Sequence, residues 1–206
     1  GIPIVFFGIN NQSMAKIHSS NQMVTGVMEN VSIKETLDLM IQLYPNNHEI
    51  IALSDNTVSG SADAKTFLSY ATKYPDYSFS VLSMSNFSWN EYAENLHTIN
   101  KSSSVLLLSV FQDKNIKTLN FYESLRLIKE NLNVPVFHLW YHGMGNGILG
   151  GVLISQHEQA RKAASMAEEI LHGTPITSVS ILNESPNTMV LDYSEILKAG
   201  ITPEKI

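Results

Sequence analysis

The sequence predicts an α/β protein built on a doubly wound, mostly parallel sheet. Apolar runs of strand length alternate along the chain with segments of helical periodicity. The runs are continuous, which indicates strands buried on both faces, as in a parallel sheet covered by helices. The five runs that we predict as the main strands are residues 2–9, 49–54, 78–83, 104–110 and 134–140.

Capping boxes predict where three of the helices begin, because a Ser and a Glu three residues later can each bond the other's backbone N–H. These pairs are Ser32 with Glu35, Ser88 with Glu91, and Ser155 with Glu158. Apolar periodicity predicts further helices at about 62–74 and 116–132. Beyond Trp140 the pattern changes, and we expect short strands near 178–182 and 188–191 and a last helix near 193–199.

The composition is that of a globular protein and disfavours several classes of function. Of the 206 residues, 44% are hydrophobic and 16% are charged, so a disordered chain is not expected. The net charge of −6 disfavours nucleic acid as a partner. The absence of Cys excludes disulfides, thiolate metal sites and Cys nucleophiles, and it is consistent with an extracytoplasmic bacterial protein.

A buried strand is predicted from residue 2, with no initiator Met or signal peptide before it. We therefore expect the sequence to be a segment of a longer protein. No apolar run approaches the ~20 residues of a membrane span.

Gly145–Gly150 matches the dinucleotide-binding pattern G-x-G-x-x-G and follows a predicted strand. That pattern requires a helix at its third Gly, whereas residues 148–154 resemble another strand and the helix begins near Gln156. We therefore interpret the glycines as a tight turn with positive φ angles, and we expect no dinucleotide or other cofactor.

His138 and His142 lie four residues apart. Four residues of strand span about 13 Å, too far for one metal ion, so no metal site is expected. We interpret His138 as a structural residue of the strand and His142 as a residue beside a pocket. No G-x-S-x-G motif or catalytic Ser, His and Asp pattern favours a hydrolase.

Polar and aromatic residues follow three of the predicted strands. In doubly wound sheets, ligands bind beyond the carboxyl ends of the strands, where helix N-termini offer N–H groups to anions. We predict a site for a small polar organic ligand there, the alternative being that each group only caps the next helix. The predicted ligand-binding residues are Asn10, Asp55, Thr57, Ser109, Phe111, Tyr141, His142 and Gly147.

The order and spacing of several segments resemble one family over essentially the whole chain. The longest segment, residues 135–151, reads Pro-Val-Phe-His-Leu-Trp-Tyr-His-Gly-Met-Gly-Asn-Gly-Ile-Leu-Gly-Gly, and the others are 3–10, 24–27, 159–164, 170–175, 185–187, 191–193 and 199–201. The chain is similar to the ABC-transporter substrate-binding protein family with the type I periplasmic-binding fold. It looks closest to the branch fused to sensor proteins such as histidine kinases and diguanylate cyclases.

The resemblance implies two α/β lobes hinged around a ligand cleft. Residues 1–27 would form the last strand of the first lobe and a crossover, residues 28–155 the second lobe, and residues 156–206 the return to the first lobe. The family's first lobe opens with several strand–helix units that this sequence lacks, so we expect that lobe to be incomplete.

The resemblance further implies a non-catalytic, extracytoplasmic domain that binds a small molecule. We expect first a sensor domain of a membrane signalling protein, in which the ligand closes the lobes. The alternatives are a substrate-binding protein of an ABC importer and, less favoured, a nucleotide-dependent α/β enzyme.

An amino acid or similar metabolite is the expected ligand. Phe111, Trp140 and Tyr141 near the strand ends indicate stacking on a planar group, and Asp55 is a candidate for binding an ammonium group. Because strand 2–9 and helix 156–172 would lack first-lobe partners, we expect the chain to form a homodimer through them.

Overall fold

The chain divides into two units, each assembled from segments that are distant in sequence. The computed structural model describes residues 1–10 and 21–202. One unit comprises Gly1–Ser32 and Leu153–Thr188, and the larger one comprises Ile33–Val152 and Met189–Ile206. Residues 156–206 were predicted to be one return segment, whereas Met189–Ile206 belongs to the larger unit.

In the described part of the chain, the strands are β1 (Ile4–Ile9), β2 (Val24–Met28), β3 (Glu49–Ser54), β4 (Ser78–Ser83), β5 (Ser103–Leu107), β6 (Val136–Phe137), β7 (Ile148–Leu153) and β8 (Thr188–Leu191). The α-helices are α1 (Ile33–Leu43), α2 (Val58–Ser69), α3 (Trp89–His97), α4 (Phe121–Asn131), α5 (Gln156–Leu171) and α6 (Tyr193–Lys198).

The smaller unit packs α5 against the parallel pair β1 and β2. Its core contains Val27 of β2 with Ala163 and Met166 of α5. Leu182 adds a single parallel bridge beside Val27, where a strand over 178–182 was predicted. The prediction is wrong because the segment forms only that isolated bridge, and a 3₁₀ turn, Ile176–Ser178, overlaps its first residue.

A buried polar side chain, Gln159 of α5, joins the segments of the smaller unit. Its Nε2 donates to the Ser185 hydroxyl at 2.7 Å and to the Met28 carbonyl at 3.4 Å, and its Oε1 accepts from the Gly8 N–H at 3.4 Å. The Ser185 hydroxyl donates in turn to Asn187 at 2.6 Å. Since a buried amide without partners is costly, this network fixes the spacing of β1, β2 and α5.

The larger unit is built on a six-stranded sheet with the order β4-β3-β5-β6-β7-β8. β3 is parallel to both of its neighbours, and the pairs β5–β6 and β6–β7 are also parallel. The predicted α/β fold with a mostly parallel sheet is confirmed.

Helices cover both faces of this sheet. On one face, Trp89, Tyr92 and Leu96 of α3 and Leu125 and Ile128 of α4 pack on a layer of strand residues: Ile51, Leu53, Val105, Leu107, Val136 and Ile148. On the other face, the Phe67 ring of α2 contacts Phe79 of β4, and Tyr44 beyond α1 contacts Phe137 of β6. Burial on both faces accounts for the continuous apolar runs.

Several predicted boundaries shift because local hydrogen bonds end or begin the elements. The helix predicted at 62–74 begins at Val58 behind an N-cap at Thr57, and the one predicted at 116–132 begins at Phe121. Asn120 and Glu123 form the capping box there, a pair that the Ser-based pattern did not identify. The strand predicted at 134–140 is short because the ladder between β6 and β7 changes register after Val136.

The predicted capping boxes differ in outcome. The box of Ser88 and Glu91 is confirmed. Ser155 caps the N–H of Glu158 at 3.3 Å, but the Glu158 carboxylate bonds Arg161. Ser32 immediately precedes α1, and its hydroxyl accepts a hydrogen bond from Asn187 at 2.9 Å.

Asp63 in α2 provides a test of how burial affects stability. Burial raises the pKa of Asp63 to about 6. Because the folded protein holds this proton more tightly than the unfolded chain, stability is lost as the pH rises through the folded pKa. We expect Asp63→Asn to stabilise the protein at pH 7.5 by about 1 kcal/mol, allowing for partial exposure, and to have little effect at pH 4.

The measurement is thermal unfolding at both pH values, with Asp76→Asn as the control. Asp76 is exposed and its replacement makes the same change in charge. An equal stabilisation by both variants at pH 7.5 would show that net charge, and not burial of Asp63, is the cause.

Candidate functional site

The carboxyl edge of the larger sheet contains a topological switch point between β3 and β5. From β3 the chain runs outward to β4, then crosses back to place β5 on the other side of β3. The connections through α2 and α3 lie on opposite faces. In such sheets the loops that follow the two central strands separate and leave a crevice in which ligands bind.

The Asp55 carboxylate spans this switch point. Its Oδ2 accepts from the Phe111 N–H at 2.7 Å, which joins the loop after β3 to the loop after β5. Its Oδ1 accepts from the Thr57 N–H at 3.1 Å and from the Thr57 hydroxyl at 2.5 Å. Asp55 is only 2% exposed, so these contacts, and not solvent, balance its charge.

The ammonium-binding role suggested for Asp55 has little geometric support. Both carboxylate oxygens already accept hydrogen bonds from the protein, and burial leaves little room for a ligand group. Asp55 therefore shapes the edge by holding Thr57 and Phe111 in place.

A second set of bonds joins the same edge to the loop after β4. The Ser85 hydroxyl accepts from the Asn56 N–H at 2.7 Å and donates to the Gln112 carbonyl at 3.4 Å. Asp113, also buried, accepts from the N–H groups of Asn115 and Lys117, both at 2.8 Å. The three loops thus form one hydrogen-bonded rim.

Electrostatic effects extend from the rim into the core below it. The Tyr92 hydroxyl is fully buried and has no hydrogen-bond partner within the described residues. Burial and the negative charge of Asp55 both raise the pKa of Tyr92. The phenol therefore stays neutral beneath the rim at any physiological pH.

The segment after β6 brings a cluster of rings to the same edge of the sheet. The Phe121 ring stacks on His138 with centroids 5.4 Å apart and meets His142 edge to face at 4.3 Å. Trp140 lies 5.3 Å from His138 and 6.2 Å from His142. We call Phe121, His138, Trp140 and His142 the ring cluster.

The separation expected for His138 and His142 is wrong. Their Nε2 atoms lie 3.3 Å apart, within hydrogen-bond distance, because the strand ends at Phe137 and the chain turns back. Burial is the main cause that lowers the pKa of His138 to about 3. Within residues 1–10 and 21–202, no three His, Cys, Asp or Glu side chains are grouped to hold a metal ion.

The other predicted site residues differ from one another in exposure and in position. Ser109 is buried two residues beyond the end of β5, whereas Tyr141 and His142 are exposed. Gly147 has a positive φ of 101° and packs on the methylene groups of Lys129, and Gly145 has a φ of 79°. Asn10 is exposed and belongs to the smaller unit.

Sequence reasoning did not identify Ser85, Phe121 or Gly60 as parts of this edge. Phe121 was expected in the interior of a helix, and only the Asn120–Glu123 box would have placed it at a helix start. Gly60 lies where a Cβ atom would come within 2.3 Å of the Asp55 carboxylate, a close approach that no local pattern indicates.

These features define a class of protein that is built on an open α/β sheet. The carboxyl edge of the sheet is polar and aromatic, which suits a small organic ligand. The chain belongs to the family described as ABC transporter substrate binding protein, whose model matches residues 1–206. No curated protein matches the sequence. Among helices of the described residues, none is both long and apolar enough to cross a membrane.

Solved structures share the fold at low identity. A conserved domain protein from Vibrio cholerae is 15% identical with a TM-score of 0.65, covering 97% of this chain and 67% of its own. The ABC domain from Streptococcus pneumoniae, in complex with L-Trp, is 19% identical with a TM-score of 0.66, covering 98% and 70%. The ligand-free, open form of CD0873, a substrate binding protein with adhesive properties from Clostridium difficile, is 17% identical with a TM-score of 0.67, covering 87% and 59%.

The close approach of Gly60 to Asp55 gives a prediction for the rim. In most helices Gly→Ala stabilises by roughly 0.5–1 kcal/mol. Here the new Cβ would displace the Asp55 carboxylate, so we expect Gly60→Ala to destabilise the protein by about 2 kcal/mol.

Ser61→Ala is the matched control, since Ser61 is exposed in the same helical turn. We expect it to change stability by less than ~0.5 kcal/mol in urea unfolding. A Gly60→Ala variant at least as stable as the wild type would contradict the role of Asp55 in holding the rim.

Proposed function

We propose that the chain is the small-molecule-binding part of an extracytoplasmic protein and is not itself catalytic. The observation that carries this proposal is the bridge from Asp55 to Phe111 across the switch point of the sheet. It builds a rigid edge where this type of fold binds ligands. Membership of the substrate-binding family supports binding over catalysis.

We propose an amino acid with a planar side chain, or a similar metabolite, as the ligand. Phe111, Trp140 and Tyr141 are at least partly exposed at the edge and offer surfaces for stacking. The N-termini of α3 and α4 are capped by Glu91 and Glu123, and the Asp55 carboxylate lies at the N-terminus of α2, so the proposal rests on the stacking surfaces. The related pneumococcal domain in complex with L-Trp supports the same class.

The bound ligand would serve either signalling or import. The Gly-rich sequence of residues 144–151 favours a sensor domain of a histidine kinase or diguanylate cyclase, as does the resemblance of the chain to that branch of the family. The family description and the similar fold of CD0873, a substrate binding protein, favour an ABC importer. The flanking gene sequence separates them: a transmembrane helix soon after Ile206 is expected of the sensor, and a lipoprotein signal without such a helix is expected of the importer.

We propose further that the smaller unit is an incomplete first lobe that pairs with a second copy of the chain. Within the described residues, β1 pairs with β2 alone, and Ile2, Ile4 and Phe7 are 86%, 56% and 47% exposed. An apolar strand with an open edge is prone to pair with another chain. Leu171, 85% exposed at the end of α5, extends the apolar surface.

Ligand binding is tested by calorimetry with L-Trp, L-Phe and L-Leu on the 206-residue chain. We expect the aromatic amino acids to bind more tightly than L-Leu, and Tyr141→Ala to weaken their binding about 10-fold, because a stacking surface is lost. Tyr193→Ala, at an exposed Tyr of the same unit in α6, is the control and should bind as the wild type does. The absence of saturable binding, or equal losses in both variants, would contradict the proposal.

The homodimer is tested by light scattering at micromolar concentration. We expect a dimer for the wild type and a monomer for Phe7→Lys, because a charge on β1 opposes strand pairing. Met189→Lys, at another exposed apolar residue, should remain dimeric. A wild-type monomer with an ordered β1 would show that the chain does not pair in this way.

A further inference from the structure

The segment after β5 forms a closed hairpin on the rim. Phe111 begins it, and the Leu119 N–H returns to the Phe111 carbonyl at 3.0 Å. Between them, Gln112 and Thr118 form an antiparallel bridge. We call residues 111–119 the β5 hairpin. Since the rim holds the N–H of Phe111, the hairpin starts and ends at the carboxyl edge of the sheet.

Hydrogen bonds on two sides constrain the tip of the β5 hairpin. Inside the hairpin, Asp113 is 4% exposed and accepts from the Lys117 N–H at 2.8 Å. Outside it, the Lys114 N–H donates to the Phe87 carbonyl at 2.9 Å. Nε1 of Trp89 donates to the Lys117 carbonyl at 3.1 Å. These bonds join both sides of the tip to the start of α3 and constrain the backbone between them.

Ile116, which lies between these bonds, has a backbone conformation that its residue type disfavours. Its φ is 63°, in the left-handed region, and no other residue apart from Gly has a positive φ in the described part of the chain. In this region the Cβ atom crowds the following carbonyl oxygen, and a β-branched side chain is especially unfavourable. The turn would form more readily with Gly or Asn at this position.

Packing within the described residues does not compensate this strain. The Ile116 side chain is 74% exposed, so most of its apolar surface stays in contact with water. Exposed apolar residues are common on protein surfaces, and exposure alone would not distinguish this one. Strain combined with exposure does distinguish it, because strained residues are concentrated at binding sites. A contact that buries the Ile116 side chain would account for both features.

We propose that Ile116 is a ligand-contacting residue, whose apolar side chain packs against the planar side chain of the bound amino acid. The proposal rests on the proposed function, since it takes the carboxyl edge as the ligand site. The β5 hairpin leaves the rim at the switch point of the sheet, where this type of fold binds ligands. Phe111 at its base is partly exposed and offers a second apolar surface.

An apolar residue on a constrained turn suits the recognition of a small molecule. Small-molecule sites are lined mostly by apolar side chains, with few polar groups to orient the ligand. Because hydrogen bonds already constrain the tip around Ile116, ligand binding would order little of the backbone there, which favours affinity.

The strain is tested by thermal unfolding without ligand. We expect Ile116→Asn to raise the unfolding temperature by about 2–4 °C, because Asn tolerates the left-handed region. Leu197→Asn is the matched control, since Leu197 is 60% exposed in α6 and has no positive φ. The control should show no increase. No rise for Ile116→Asn, or an equal rise in both variants, would overturn the proposal.

The ligand contact is tested by calorimetry with L-Trp. We expect Ile116→Asn to weaken binding about 10-fold, because an apolar contact is lost. Ile116→Leu keeps the apolar surface and should bind with close to the wild-type affinity, as should Leu197→Asn. Unchanged affinity in Ile116→Asn, beside normal binding by the wild type, would overturn the contact and leave the proposed function standing. Absence of saturable binding by the wild type would refute the proposed function, and the contact with it.

The NMR signal of the Ile116 δ1 methyl group, assigned by its loss in Ile116→Leu, reports the contact directly. We expect L-Trp to shift this signal upfield, because the methyl group packs on the indole ring, and L-Leu to move it less, because it has no ring. A signal that saturating L-Trp leaves in place would put the ligand elsewhere and overturn the proposal. Loss of the homodimer in Ile116→Asn with unchanged affinity would assign Ile116 to an interface between copies, and would also overturn it.

Discussion

The carboxyl edge of the larger sheet depends on one buried carboxylate. Asp55 bonds Thr57 on its own loop and the backbone of Phe111 on the loop after β5. Each hydrogen bond to a charged group contributes about 1.5–3 kcal/mol to stability. A buried carboxylate without such bonds would destabilise the fold, because nothing would compensate the free energy of its desolvation. The loops can therefore adopt this arrangement only together, and Gly60 leaves the space that the carboxylate needs.

The two units use buried polar groups for the same purpose. In the smaller unit, the Gln159 amide joins β1, β2 and the segment at Ser185, as Asp55 joins loops in the larger one. Apolar packing alone tolerates small shifts between elements, whereas a buried polar group is satisfied at one spacing. Both groups lie where chain segments that are distant in sequence meet.

A rigid rim and an adjacent ring cluster suit a protein that recognises a small molecule by shape and hydrogen bonding. The rim positions backbone groups and the N-terminus of α2, while Phe121, His138, Trp140 and His142 supply flat surfaces and directional nitrogens. The chain belongs to the family described as ABC transporter substrate binding protein. Such a site requires accurate placement of its groups more than it requires reactive ones.

The sequence by itself determined the fold class, β3 and β4 to the residue, and the start of α3, because continuous apolar runs and the Ser88–Glu91 box are local patterns. It also placed Asp55, Phe111 and His142 after strand ends. Only the tertiary structure decided what these residues contact. The contact of Asp55 with Phe111 spans 56 residues, and the approach of His138 to His142 depends on where β6 ends. Such contacts arise from the order of strands in the sheet and from a change of register between neighbours, neither of which is encoded in the periodicity of one segment.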